Sequence, residues 1–185
     1  INEQRSFRDG RIIPTAKKPL RGKKKRADYL LRYTRDFPIA VVEAKADYKT
    51  PSAGIQQAKE YAHILGLKFA YATNGTGIVE FDFLTGKETA VDTFPSPGDL
   101  WARLRSSEPL DQKQADYVLT PFNLQAGKIP RYYQEIAINK TIQAIVTGKS
   151  RILLTMATGT GKTTTAFQIC WKLWTSRWNR TGEYR

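Results

Sequence analysis

Apolar and polar positions change period several times along the chain, and each change predicts an element. "ADYLLRY" (27–33) and "IAVVEAKA" (39–46) have strand composition and flank the turn-like "TRDFP", which predicts a hairpin centred on Arg35 and Asp36. Across "SAGIQQAKEYAHILGL", Ile55, Ala58, Ala62 and Leu65 recur at helical spacing, predicting a helix of about four turns that Gly66 helps to end. "KFAYATNG" (68–75) then reads as a short buried strand, parallel to its predecessor because a helix crosses over between them. "IVEFDF" alternates, "LTGK" turns and "ETAVDTF" returns as a second hairpin. "SPGDLWARL" opens a helix with Ser96 as N-cap, proline at the first helical position and Asp99 completing the start signal.

From about 106 to 130 the periodicity fades into Ser, Pro, Gly and Gln, the composition of an interdomain connection. "RYYQEIAINKTIQAIV" follows as an amphipathic helix closed by Gly148, and "RILLT" (151–155) as a short buried strand leading into a glycine-rich turn and a further helix. The expected organisation is a first domain over 1–115, a linker over 116–130, and the beginning of a second domain over 131–185.

Charge narrows the choice of partner. Thirty Lys and Arg against 17 Asp and Glu leave +13 among 185 residues, a balance that favours a polyanion such as nucleic acid. Seven basic residues fall in "KKPLRGKKKR" (17–26), a stretch that predicts a mobile loop able to meet phosphates. Neither a membrane-spanning run nor a secretory signal is evident. One cysteine, Cys170, and one histidine, His63, exclude a disulfide scaffold, a zinc cluster and a histidine-based nuclease centre within this stretch. Cys170, beside Trp171 and Trp174, reads as a buried, inert thiol.

Carboxylates, lysines and backbone must therefore carry the chemistry. In "VVEAKADY" (41–48), Glu43 and Lys45 project from one face of a strand, and the hairpin register sets Asp28 opposite Glu43. Directly opposed side chains stand roughly 4.5–5.5 Å apart at Cβ. Two carboxylates that close repel, and a hard divalent cation resolves the repulsion by taking oxygens from both. A lysine beside them suits negative charge developing on a phosphate or on a water losing its proton, as in phosphodiester hydrolysis. The helix that follows carries Gln57 and Tyr61 four apart on one face.

Asp28, Glu43-Ala44-Lys45 and Gln57-x-x-x-Tyr61 resemble the nuclease domain of the PD-(D/E)xK superfamily, in the branch with a Q-x-x-x-Y helix. The resemblance implies a restriction-endonuclease-like α/β fold, a mixed central sheet flanked by helices. It also implies that Asp28 and Glu43, with the Ala44 carbonyl, hold Mg²⁺. Lys45 would orient or deprotonate the attacking water, and Gln57 and Tyr61 would line the DNA path or steady the site. Ala27 stands where the motif's name has proline. Glu3 is the acidic residue available for the upstream position that many relatives use.

"MATGTGKTT" (156–164) joins the expected strand 151–155 to a helix, the setting of a phosphate-binding loop. Backbone N–H groups of Thr158, Gly159, Thr160 and Gly161 turn towards a polyphosphate, Lys162 reaches the β and γ phosphates of ATP, and the Thr163 hydroxyl can ligate Mg²⁺. Met156 occupies the position where the usual pattern has glycine. Upstream, Gln134 in "PRYYQ" resembles the adenine-reading glutamine of superfamily 2 helicases, with Tyr132 and Tyr133 beside it as stacking partners or core. No acidic strand, arginine finger or second motor lobe follows Lys162, so this stretch is expected to bind nucleotide weakly and to lack ATPase activity.

A nuclease followed by the first strand-loop-helix of a RecA-like P-loop domain resembles the restriction (motor) subunit of type I restriction enzymes. That resemblance implies a prokaryotic cytoplasmic protein acting on double-stranded DNA, joined to methyltransferase and specificity subunits, with no membrane partner. Two rival readings stay open from the residues alone. One is a helicase or translocase whose nuclease-like domain grips DNA without cutting it; the other is a non-catalytic module that docks on partner subunits.

Overall fold

The computed structural model describes residues 2–8, 12–13, 20–21, 24–107, 110–124, 127 and 129–181. The chain divides into two compact units, 1–33 with 38–104, and 34–37 with 105–185. The turn of the first long hairpin thus belongs to the second unit, while nearly all of both its strands belong to the first.

The first unit is built on a six-stranded mixed sheet in the order β1-β4-β5-β6-β7-β8. Its strands are β1 (Asn2–Arg8), β4 (Lys24–Thr34), β5 (Phe37–Ala44), β6 (Phe69–Thr73), β7 (Ile78–Asp82) and β8 (Lys87–Val91). Two short strands, β2 (Ile12–Ile13) and β3 (Leu20–Arg21), pair with each other apart from it. The expected mixed sheet with flanking helices is therefore what forms.

Burial follows position in the sheet. From Ile39 to Val42 in β5 and from Phe69 to Ala72 in β6, no residue is more than 3 % exposed. These are inner strands covered on both faces, which is why they read as unbroken apolar runs rather than alternating ones. β5 and β6 pair in parallel, Ala40 with Phe69 through Ala44 with Thr73. Parallel pairing requires a crossover. It is made by a 3-10 turn, Pro51–Gly54, and helix α1 (Ile55–Leu65), so the expected four-turn helix is a 3-10 turn followed by three turns of α-helix. Ile55, Ala58, Ala62 and Leu65 are its buried stripe. Gly66, at φ 69°, ends it in the left-handed region, donating to the Ala62 and His63 carbonyls.

The second hairpin forms as expected, with Ile78 opposite Val91 and Asp82 opposite Lys87. Helix α2 (Pro97–Ser107) begins as the sequence predicts: the Ser96 hydroxyl accepts from Asp99 N–H at 3.1 Å and the Asp99 carboxylate accepts from Ser96 N–H at 3.0 Å. Arg103 ties this helix to β7, donating to Glu80 at 2.7 and 3.0 Å and to Asp82 at 2.7 Å, with its guanidinium 4.6 Å from the Phe69 ring centre. Burial opposes the charge on Glu80, but Arg103 and the Tyr71 hydroxyl outweigh it and hold that carboxyl below its usual range.

One expectation at the start of the chain is corrected. Of the basic stretch 17–26, only Leu20–Arg21 and Lys24–Arg26 lie among the described residues, and these are strand rather than loop. Lys24, Lys25 and Arg26 pair with Arg8, Phe7 and Ser6 of β1. Backbone pairing places no demand on side-chain polarity, and long basic side chains can extend past the sheet to water. β1 itself has no strand signature in the sequence; pairing with β4 makes it a strand.

The second unit is helical among the described residues: α3 (Gln112–Leu119), α4 (Tyr132–Val146) and α5 (Lys162–Thr175). α3 falls partly inside the stretch expected to be linker, and its start is fixed by a capping box between Asp111 and Gln114. α4 buries Ile138, Ile142 and Val146 and is followed by Gly148 at φ 85°.

Residues 151–155 do not form the expected buried strand. They carry no strand assignment and are exposed, Leu153 to 89 %. A strand exists only by pairing, and the described part of this unit offers none to pair with. Cys170 is likewise corrected, being exposed. The face that α5 buries is the polar one, Thr165, Gln168 and Lys172. Lys172, 1 % exposed, donates to the Val118 carbonyl at 2.7 Å and to Asn139 Oδ1 at 3.2 Å.

Candidate active site and nucleotide loop

Glu43 and Ala44 end β5, Lys45 follows at once, Asp28 lies on the neighbouring β4, and Gln57 and Tyr61 rise from α1 four residues apart. The mouth of an α/β sheet lies at the carboxyl ends of its parallel strands, and β5 delivers Glu43 there. The turn at Arg35 and Asp36 sets the hairpin where the sequence predicts it.

These residues form one hydrogen-bonded group. Lys45 Nζ donates to Glu43 Oε1 at 2.8 Å and to Gln57 Oε1 at 2.9 Å. Gln57 Nε2 donates to Glu43 Oε1 at 2.6 Å and to the Tyr61 hydroxyl at 2.7 Å. Asp28 Oδ2 accepts from Ala44 N–H at 2.9 Å, which binds the two strands through a carboxylate as well as through the sheet. Tyr61 is 7 % exposed and meets Phe7 edge to face at 5.0 Å, so its ring is core and only its hydroxyl reaches the group.

Glu43 is the electrostatic centre. It is 3 % exposed, and its Oε2 is buried with no hydrogen-bond partner. Burial pushes its carboxyl above the usual range; Lys45 opposes the shift and the Asp28 charge adds to it. A buried carboxylate oxygen without a partner is costly, and a cation shared with Asp28 removes the cost. Among the described residues no third carboxylate, imidazole or thiol side chain gathers here, so a metal would rest on two carboxylates, backbone and water. Glu3, weighed as an upstream acid, lies on strand β1 opposite Tyr29 rather than on a helix.

Gly54 is the site residue that sequence reasoning missed. A Cβ there would stand 3.1 Å from Glu43 Cγ, 3.3 Å from Lys45 Cε and 3.4 Å from Ala72 Cβ. A side chain there would crowd the acid-lysine pair, so that the pair or the 3-10 turn would have to give by a fraction of an ångström. No local pattern marks it, since the close approach is set by tertiary packing.

In the second unit, residues 158–161 turn into the N-terminus of α5, with Gly159 at φ 76° and Gly161 at φ 84°. Both are values that a side chain disfavours. Thr158, Gly159, Lys162 and Thr163 are exposed, and Thr160 and Gly161 half-buried. Lys162 Nζ folds back to the Ala157 carbonyl at 3.4 Å, lying over its own loop. Gln134 comes to this loop from the start of α4: its Nε2 donates to the Thr160 carbonyl at 2.9 Å and its Oε1 accepts from Arg131 N–H at 2.9 Å. The Tyr133 hydroxyl donates to the same Thr160 carbonyl at 3.2 Å, and Tyr132 packs edge to face on Tyr133 at 5.4 Å.

The six-stranded mixed sheet with its helices is consistent with a restriction-endonuclease-like fold, and the acid-lysine group on β5 and the glycine-rich loop are its two candidate sites. Family models agree at both ends of the chain. Residues 3–74 match "Type I restriction enzyme EcoKI endonuclease subunit second domain", and residues 127–181 match "Type III restriction enzyme, res subunit". The chain belongs to the family of type I restriction enzyme endonuclease (motor) subunits. It is 42 % identical over 184 residues to the EcoAI endonuclease subunit of Escherichia coli, covering 96 % of this chain and 23 % of that protein. It is 34 % identical over 151 residues to the EcoKI endonuclease subunit, also from Escherichia coli, covering 74 % of this chain and 12 % of that protein. A solved fragment described as an HsdR subunit of a type I restriction enzyme from Vibrio vulnificus superposes with a TM-score of 0.86 at 56 % identity, covering 100 % of this chain and 35 % of that one. The chain thus spans less than a quarter of either curated relative.

Proposed function

We propose that this chain carries the Mg²⁺-dependent centre that cuts double-stranded DNA and the ATP-binding loop of the translocase that serves it, as parts of a type I restriction complex with methyltransferase and specificity subunits. One observation supports this reading above the rest. Glu43 holds its Oε1 in bonds to Lys45 and Gln57 and leaves Oε2 buried without a partner, with the Asp28 charge beside it. A purely structural ion pair would satisfy both oxygens.

Asp28, Glu43 and the Ala44 carbonyl are the groups that would hold Mg²⁺. When bound there, Mg²⁺ neutralises developing charge on a phosphate oxygen and makes a water more acidic. Lys45, clamped between Glu43 and Gln57, would set its ammonium where negative charge grows on the scissile phosphate, or orient or deprotonate the attacking water. Gln57 fixes that lysine, and Tyr61 fixes Gln57 through its hydroxyl. In the second unit, Lys162, which lies on the Ala157 carbonyl, would hold the β and γ phosphates of ATP, Thr163 would serve Mg²⁺, and Gln134 would meet the adenine or brace the phosphate loop through Thr160.

Plasmid cutting by the full-length protein in its assembled complex, with Mg²⁺ and ATP, tests this. Asp28→Ala, Glu43→Ala or Lys45→Ala abolishes cutting and leaves DNA-stimulated ATPase intact. Cutting that persists in all three would refute the metal site and leave a DNA-gripping translocase module as the better reading.

A further inference from the structure

Between Lys45 and Gly54 the chain makes an excursion whose two feet both touch the site. Lys45 is itself part of the group, and Gly54 lies against Glu43 and Lys45 closely enough that a Cβ would meet them at 3.1 and 3.3 Å. At the outer end, Lys49 N–H donates to the Ala46 carbonyl at 2.9 Å, closing a β-turn with Asp47 and Tyr48 at its inner positions. Tyr48 is 83 % exposed and Lys49 is exposed beside it, its ammonium 6.0 Å from the Tyr48 ring centre. Three trans peptide steps set the Tyr48 α-carbon within about 11 Å of that of Lys45.

This turn is held in place. The Asn74 amide, 8 % exposed, donates to the Asp47 carbonyl at 3.3 Å and to the Lys49 carbonyl at 2.8 Å. Its oxygen accepts from Thr76 N–H, the Thr76 hydroxyl and Gly77 N–H at 3.1, 3.0 and 2.9 Å. Pro51 packs on Gly77, where a Cβ would stand 2.7 Å from the proline Cγ. One buried amide therefore joins the turn to the corner between β6 and β7. An aromatic ring on a loose loop carries no message, but a ring held in water on a braced turn has already lost the freedom that binding would take from it.

Resting on the nuclease reading above, we infer that the turn 46–49 is a DNA-contacting finger of the site: the Tyr48 ring packs on a deoxyribose beside the scissile phosphate, and Lys49 meets a neighbouring phosphate. Every nucleotide of a duplex offers the same sugar face to an aromatic ring, so such a contact adds affinity and position without sequence preference. A chain of net charge +13 supplies the matching field.

The test uses the full-length subunit in its assembled complex. Tyr48→Ala raises the DNA concentration for half-maximal cutting about tenfold, while the rate at saturating DNA and the melting temperature stay close to wild type; Tyr48→Phe, which keeps the ring, restores the wild-type DNA dependence. Wild-type DNA dependence in Tyr48→Ala overturns the inference. So does a loss of complex assembly at unchanged DNA affinity, which would make the turn a protein-docking surface. Glu43→Ala run alongside separates the two readings: if it still cuts, the metal site fails, and if it is dead while Tyr48→Ala behaves as wild type, only the finger fails.

Discussion

At Glu43 the raised carboxyl has a consequence for stability. A carboxyl whose pKa rises on folding holds its proton more tightly in the native state, so ionising it costs stability. That cost is absent below the ordinary value of 4.5, grows as pH rises through the window up to the raised value, and is complete above it. In the absence of divalent cations, Glu43→Gln should therefore melt above wild type at neutral pH and lose that advantage in acid. Millimolar Mg²⁺ should stabilise wild type by about 2.7 kcal/mol at a hundredfold excess over Kd, raising its melting temperature, and leave Glu43→Gln and Asp28→Asn unmoved. Equal Mg²⁺ shifts in all three proteins would sink the metal reading without any measurement of cutting. The five residues at this centre were legible because strand period, hairpin register and helical spacing each act locally. Gly54 and Asn74 were not, because what makes them matter is which distant atoms they approach.

Helix and turn elements carry the site as much as its side chains do. The 3-10 turn Pro51–Gly54 presses on Glu43 and Lys45 with no room to spare, so Gly54→Ala must displace one of them or the turn itself. Overpacking of this kind costs about 1–3 kcal/mol of stability. A shift of the acid-lysine pair by a fraction of an ångström should lower the cutting rate at saturating DNA about tenfold to a hundredfold and leave DNA affinity near wild type; single-turnover cutting beside a binding isotherm checks it. An unchanged rate would mean that the turn yields rather than the pair. The same logic explains which elements the sequence announced. The crossover α1 and the β7–β8 hairpin are specified by their own residues, through a buried stripe and a turn. β1 and the stretch 151–155 depend on a neighbour. β1 has β4 to pair with and becomes a strand, whereas "RILLT" has no strand beside it in the described part of its unit and stays exposed despite its apolar sequence.

On the scale of the whole molecule, the second unit contains a charge placed against the usual rule. Lys172 stands on the helix that begins at the glycine-rich loop, 1 % exposed. Around its ammonium are the Val118 carbonyl and the Asn139 side chain, the Phe122 ring with its centre 5.0 Å away, and the charges of Asp36 and Glu135. Burial lowers its pKa from 10.5 to about 8, and the two carboxylates only partly offset that. A lysine with a depressed native pKa binds its proton less tightly when folded, so the charged form is penalised at neutral pH and below. Stability should therefore rise as pH climbs from 8 towards 10.5, where the unfolded chain still holds the proton and the native one has released it. Asp36, against the pull of burial held below its usual range chiefly by Arg35, stays ionised over that range and cannot produce the rise, and Arg35, bonded to it, remains charged throughout. Lys172→Met, which fills the same space with a flexible apolar chain, should flatten this part of the profile while leaving the Glu43-dependent acid limb in place. Chemical denaturation followed across pH 7 to 11 (about the range that lysine titration spans) reads both limbs, and an alkaline rise of equal size in Lys172→Met would assign it to another group and leave the buried ammonium as an ordinary, fully charged anchor of α5.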